Sequence, residues 1–142
     1  ELTLEAFLTG YRSTALRSDE LLTAVLVPGA MGQARSSFHK LGIRRYLVIS
    51  IAMVAVALAV DDDRIGAARV AIGACSPVAL RIRALEDELV GRAIADDLGA
   101  APRPEHMAAL SPIDDIRATA GYRRSAALAI TRRALAECGT GR

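Results

Sequence analysis

The sequence predicts an α+β fold, in which a four-stranded antiparallel sheet carries three helices on one face. Strand-like segments occupy the first half of the chain and helical segments the second, an order typical of α+β domains. Two long apolar runs meet at Asp61, Asp62 and Asp63, which predicts a central hairpin. The length of 142 residues suits a single domain over 1–142.

Four segments are candidate strands. Residues 21–27 form an apolar run that stops at Pro28, and residues 36–41 form a shorter one. Residues 47–60 are rich in β-branched side chains, and residues 65–74 supply the second arm of the hairpin. Alternation along the third segment predicts one face of larger apolar side chains and one face of alanines, which would admit a closely packed neighbour: Val54, Val56, Leu58 and Val60 against Ala55, Ala57 and Ala59.

Three helices are predicted after the strands. The first covers 84–90 and ends at Gly91, a residue that suits a helix C-terminus. The second covers 103–110, and the third and longest covers 113–137. Asp114 and Asp115 would then lie at the positive end of the longest helix.

Charge and hydropathy exclude two classes of protein. Seventeen arginines and a single lysine, Lys40, nearly balance sixteen acidic residues, and the arginine pairs alternate with acids along the chain. This pattern argues against a nucleic-acid-binding face. The apolar run 47–60 has fourteen residues, short of the ~20 that a helix needs to cross a bilayer, so we expect no membrane span.

The residues do not by themselves predict a catalytic or metal site. Cys75 and Cys138 have no partners at metal-ligand spacing, which indicates reduced structural thiols in a cytoplasmic protein. His39 and His106 are equally isolated in the sequence and are interpreted as exposed or capping side chains. The glycines form no dinucleotide or phosphate-binding loop.

Two signatures, about a hundred residues apart, carry a resemblance. The first is FLTGYRSTAL at 7–16, followed by DELL at 19–22 and by Val27-Pro28; the second is SPIDDIRATAGYRR at 111–124. Four segments between them, 38–41, 44–50, 68–73 and 86–91, follow the same order. In these features the chain resembles the C-terminal domain of the flavin subunit of molybdenum-containing hydroxylases, the xanthine dehydrogenase and carbon monoxide dehydrogenase family.

The resemblance implies a role in electron transfer. A large subunit would hold the molybdenum cofactor, a small subunit two [2Fe-2S] clusters, and the middle subunit FAD, which passes electrons to NAD or another acceptor. This chain would be the rear part of the middle subunit, without the preceding domain that anchors the FAD pyrophosphate. Its start at Glu1, directly before the first signature, agrees with a piece of a longer subunit.

Two residues are expected to approach the flavin on the strength of the resemblance, Leu22 and Lys40. An aliphatic side chain would exclude water from the ring system, and a cation would favour the negatively charged reduced form. The alternatives are an ordinary core leucine and a solvated surface lysine. Tyr122, Arg123 and Arg124 are interpreted as a structural hydrogen-bond network or an interdomain contact rather than as cofactor ligands.

A different class of function stays open at this point. The same α+β sheet would also suit a free-standing protein-interaction module without redox activity. Glycine-rich flavin loops upstream in a longer chain would decide against that alternative.

Overall fold

The computed structural model describes residues 1–31, 33–44 and 48–140. Six strands and three α-helices follow one another in these ranges. The helices are α1 (Leu4–Phe7), α2 (Arg83–Leu89) and α3 (Ala120–Thr140). The strands are β1 (Leu8–Gly10), β2 (Ser13–Thr14), β3 (Arg35–Leu41), β4 (Ala52–Asp61), β5 (Arg64–Gly73) and β6 (Leu80–Arg81). The first two strands form a small hairpin, and the last four form an antiparallel sheet in the order β3-β4-β5-β6.

The central hairpin is the framework of the sheet. β4 and β5 pair antiparallel along their length, from Met53 opposite Gly73 to Asp61 opposite Arg64. The turn between them uses Asp62 and Asp63, both in the left-handed region with φ of 46° and 60°. A two-residue turn with two positive φ values matches the twist of the strands, and aspartate tolerates that conformation better than most residues. The predicted hairpin is therefore confirmed.

The core lies between one face of the sheet and the helices. Val54, Val56 and Leu58 of β4 are at most 2% exposed, as the alternation predicted. They belong to one buried cluster with Leu85 of α2 and Leu135 of α3, so both helices cover the same face. The fold class, an antiparallel four-stranded sheet with three helices, is confirmed.

The prediction of a strand at 21–27 in this sheet was wrong. The segment has no regular secondary structure, and the fourth strand is the two-residue β6. β6 pairs with β5, and Glu86 of α2, which is 4% exposed, links the two strands: it accepts the backbone N–H of Val70 at 2.8 Å and pairs with Arg81. A strand this short cannot be recognised from its own side chains, because its position depends on that buried carboxylate.

Two helices and one strand have other bounds than predicted. The segment 103–110 contains only a 3-10 turn at Pro104–Met107. The longest helix begins at Ala120 rather than at 113, because Asp114 accepts the N–H of Ala120 and Thr119 accepts that of Tyr122. Side chains that bond free backbone amides in this way start helices. β4 begins at Ala52, whereas the strand was predicted from 47. Residues 45–47, which include that predicted start and part of the segment 44–50, lie outside the described residues.

Candidate functional site

The face of the sheet that the helices leave free is the candidate site, and we call it the outer face. Because side chains alternate along a strand, the strand register assigns its members. They are Ser36, Phe38 and Lys40 of β3, Met53, Ala55, Ala57 and Ala59 of β4, Arg69 and Ala71 of β5, and Arg81 of β6. The alanine side chains are short, so a neighbour can pack close to the backbone of this face, as the sequence pattern suggested.

Lys40 lies exposed near one end of the outer face. It is opposite Met53 of β4, two residues from Phe38 on the same strand. Within the described ranges its ammonium group takes part in no salt bridge, whereas Arg81 on the same face pairs with Glu86. A cation that is exposed and lacks a carboxylate partner is available to a ligand.

Phe38 was not singled out from the sequence, although alternation places it on the same face as Lys40. Its side chain is 63% exposed, an unusual position for a phenylalanine. It lines an open depression of about 350 Å³, whose walls include Ala55, Ala57, Arg69, Ala71 and Arg81. The outer face thus offers one aromatic ring and a shallow apolar floor close to Lys40.

Leu22 lies on a different part of the chain from Lys40. It belongs to the irregular segment before β3 and is 52% exposed, so it is not an ordinary core leucine. Neither Leu22 nor Lys40 lines this depression or a second one bordered by Arg83 and Asp87 of α2. In the described part of the chain, neither of these depressions is therefore a cofactor pocket built from this pair.

The two histidines have structural partners. Nε2 of His39 lies 2.7 Å from a carboxylate oxygen of Glu137 on α3, and the hydroxyl of Ser37 donates to the same oxygen at 2.8 Å. Hydrogen bonds from Ser37, Arg133 and His39 lower the pKa of Glu137 to about 2. This cluster joins the edge strand β3 to the last turns of α3.

His106 is a capping residue, as expected. Its Nδ1 accepts the backbone N–H of Arg103 at 3.0 Å, and its side chain is 4% exposed. Nε2 lies 3.1 Å from the carboxylate of Glu88, which also accepts from Arg103. The hydrogen bonds from Arg103 and from His106 lower the pKa of Glu88, and the bond from Arg103 has the larger effect.

Among residues 1–31, 33–44 and 48–140, no group of three or more His, Cys, Asp or Glu side chains is arranged to hold a metal ion.

Arg123 of the second signature is a buried brace. It is 3% exposed, and its Nη1 donates to the carbonyl of Ile51 at 2.8 Å while its Nη2 pairs with Asp115 at 2.8 Å. Its Nε has no hydrogen-bond partner among the described residues. Tyr122 is 54% exposed, and Arg124 donates to the carbonyl of Leu110. The structural interpretation of Arg123 is confirmed, since it joins the start of α3 to the loop before β4.

Both cysteines are free and buried. Burial raises the pKa of Cys75, and it raises the pKa of Cys138 to about 11. A thiol with a raised pKa is a poor nucleophile, which agrees with a structural role.

In the part of the chain that the structure describes, no helix is long and apolar enough to cross a membrane.

A comparison with protein-family models decides the family. The model of the CO dehydrogenase flavoprotein C-terminal domain matches residues 36–138, from β3 almost to the end of α3. The chain belongs to this family. The outer face and the Glu137 cluster are thus parts of a flavoprotein C-terminal domain.

The chain is also similar to proteins about twice its length. The chain is 32% identical over 135 residues to caffeine dehydrogenase subunit beta of Pseudomonas sp. (strain CBB1), a match that covers 95% of this chain and 45% of that protein. The quinoline 2-oxidoreductase structure from Pseudomonas putida 86 matches with a TM-score of 0.81 and 28% identity, over 96% of this chain and 47% of that one. Carbon monoxide dehydrogenase from Hydrogenophaga pseudoflava shares the fold, with a TM-score of 0.78 and 24% identity over 96% of this chain and 47% of that chain. The chain spans about half the length of the relatives that it matches.

Proposed function

We propose that this chain is the C-terminal domain of the FAD-binding subunit of a molybdenum hydroxylase. The observation that carries the proposal is the family match over 36–138, together with relatives named as subunits or structures of dehydrogenases and oxidoreductases. A preceding domain of the same subunit would bind the FAD pyrophosphate, since this sequence has no glycine-rich phosphate loop. The enzyme would work in the cytoplasm.

Leu22 and Lys40 are the residues of this chain that would approach the flavin ring. FAD, when bound, supplies the electron transfer. Lys40 is an exposed cation outside any salt bridge in the described residues, and it would stabilise negative charge on the reduced ring. Leu22, half-exposed in this chain, would pack on the ring system and exclude water from it. Lys40 would thus supply a positive charge and Leu22 an apolar contact to a cofactor that a second domain also binds.

The partners follow from the same proposal. Electrons would reach the flavin from [2Fe-2S] clusters in a small subunit, after substrate oxidation at the molybdenum cofactor in a large subunit. NAD or another acceptor would then take them from the flavin. The relatives are named after caffeine, quinoline and carbon monoxide, three very different compounds, which agrees with a substrate chosen outside this domain.

The substitution Lys40→Met in the full subunit tests the placement of Lys40. It removes a positive charge from the outer face and little packing, so we expect the flavin midpoint potential to fall with FAD content unchanged. Arg133→Met is the matched control, because Arg133 is an exposed cation on α3, across the sheet from the outer face. A potentiometric titration of the Lys40 variant that coincides with those of the parent and the control would contradict the proposed contact.

A further inference from the structure

The face of β3 that lies towards the helices is polar for most of its length. Because side chains alternate along a strand, Arg35, Ser37 and His39 lie on this inner face and Lys40 lies on the outer face. On the neighbouring strand β4, inner-face residues such as Val54 are apolar and fully buried. The hydrophobic effect therefore holds β4 against the helices, but it contributes little at these three positions of β3.

β3 is also an edge strand. In the part of the chain that the structure describes, it pairs with β4 alone, so a hydrogen-bond ladder supports it on one side only. Its position relative to the helices therefore depends on the contacts of its inner side chains.

Those contacts converge on the last turn of α3. One carboxylate oxygen of Glu137 accepts from the hydroxyl of Ser37 at 2.8 Å and lies 2.7 Å from Nε2 of His39. The other oxygen accepts from Nε of Arg133, one turn earlier in the helix, at 3.0 Å. Hydrogen bonds to an ionised carboxylate are stronger than those between neutral groups. At the other end of β3, Nη1 of Arg35 donates to the carbonyl of Gly139 at 3.2 Å.

Lys40 lies between two residues that are anchored on the inner face. His39 precedes it and contacts Glu137, and Leu41 follows it and packs against the buried core. Consecutive Cα atoms are only about 3.8 Å apart, so a shift of the backbone at His39 moves Lys40 as well. No salt bridge in the described residues fixes the ammonium group of Lys40 itself. Its reach is therefore set by the backbone on either side.

We propose that His39 and Glu137 are positioning residues, which hold Lys40 where it reaches the flavin ring. This inference rests on the proposed function, in which Lys40 stabilises the reduced flavin. The two residues lie on the opposite side of the sheet from Lys40 and act through it, without contact to the cofactor. Loss of their contact frees the edge strand at His39, and the reduced ring then loses part of the positive charge beside it.

The substitution Glu137→Ala in the full subunit tests the proposal, because a positioning role and a direct charge effect predict opposite signs. If Lys40 is displaced, the flavin midpoint potential falls, in the same direction as for Lys40→Met. If the negative charge of Glu137 acts on the ring directly, its removal favours the anionic reduced form and raises the potential. We expect a fall that is smaller than that of Lys40→Met, with FAD content unchanged. A rise, or no change, would overturn the proposal.

The double variant Lys40→Met/Glu137→Ala shows whether Glu137 acts through Lys40. Substitutions of residues that act as one unit are not additive. The double variant should therefore have the same midpoint potential as Lys40→Met alone. A further fall in the double variant would mean that Glu137 affects the flavin by another route.

Two further variants serve as controls. Glu137→Gln removes the same charge as Glu137→Ala but keeps an oxygen that accepts from Ser37, so it should restore most of the potential. Arg35→Gln breaks the contact between the far end of β3 and α3, five residues from Lys40, and should leave the potential at the parent value. An equal fall for Arg35→Gln and Glu137→Ala would show a general loosening of β3 and overturn the specific role of Glu137.

The outcomes separate this inference from the proposed function. A potential that Lys40→Met leaves unchanged would overturn the proposed flavin contact and this inference with it. A fall for Lys40→Met without a fall for Glu137→Ala would overturn the positioning role alone. If Glu137→Ala does not give a folded subunit, Ser37→Ala takes its place, because it removes a single hydrogen bond to the same carboxylate. Its expected fall is smaller, and its absence counts against the positioning role in the same way.

Discussion

The Nη2 atom of Arg123 lies 2.8 Å from Oδ1 of Asp115, and this pair ties the first turn of α3 to the loop that precedes it. The same guanidinium donates to the carbonyl of Ile51, at the start of the central hairpin. Backbone hydrogen bonding from Arg117, together with Arg123, lowers the pKa of Asp115 well below its usual range. One buried arginine thus connects helix, loop and sheet.

Arg123→Ala should lower the free energy of unfolding by about 3 kcal/mol, because it removes a buried guanidinium partner from Asp115 and from the Ile51 carbonyl. Urea denaturation of the 142-residue chain measures the loss. Arg124→Ala is the control: Arg124 is exposed and donates one hydrogen bond to Leu110, so we expect about 1 kcal/mol or less. Equal effects of the two substitutions would contradict the bracing role of Arg123.

Glu137→Gln should weaken the acid sensitivity of the fold. The folded-state pKa of Glu137 is lowered from 4.5 to about 2, so its carboxylate stabilises the fold above about pH 4.5, and that contribution is lost as the pH falls towards 2. Melting temperatures between pH 5 and about 2.5 should therefore fall less steeply for the variant than for the parent.

The control for this pH dependence is Glu105→Gln. Glu105 is 76% exposed and its contact with Arg103 is long, at 3.8 Å, so the variant should follow the parent curve. Asp115 also loses stabilising contacts in acid, and it contributes equally to all three proteins. Parallel curves for the parent and Glu137→Gln would show that the link between β3 and α3 does not depend on the carboxylate.

Both thiols should be protected from alkylation in the folded chain. Cys75 and Cys138 are at most 2% exposed, and burial raises the pKa of each, which lowers the thiolate fraction. At pH ~8 we expect reaction with a thiol reagent to be at least ~100-fold slower than in denaturant, where both should react. A fast native reaction at Cys138 would mean that the end of α3 opens readily.

The 142-residue chain should bind FAD weakly or not at all. Phosphate contacts and preorganisation dominate the binding of a dinucleotide, and this sequence lacks the loop that supplies them. Titration with FAD, followed by flavin fluorescence, should show no saturation at micromolar concentrations, whereas the full subunit should bind stoichiometrically. Tight binding by this chain would place the main anchoring site within 1–142.

Local patterns were sufficient for the elements whose neighbours in space are neighbours in sequence. The hairpin of β4 and β5 follows from alternation around an aspartate turn, and α2 ends next to Gly91, which has a φ of 85°. The buried positions Val54, Val56 and Leu58 were predictable for the same reason. The two-residue period of a strand is enough to place Phe38 and Lys40 on the same face, although the sequence analysis did not single out Phe38.

The sequence by itself determined the fold class, the central hairpin and the family signatures, because periodicity and turn residues act over a few positions. Only the tertiary structure decided which segment is the fourth strand, where α3 begins and what His39 contacts. β6 depends on the buried Glu86, the start of α3 on Asp114 and Thr119, and His39 on a carboxylate 98 residues away. Segment 21–27 makes the same point: its apolar pattern predicted a strand, but a strand requires hydrogen-bond partners, which the fold decides, and among the described residues the segment has no regular structure.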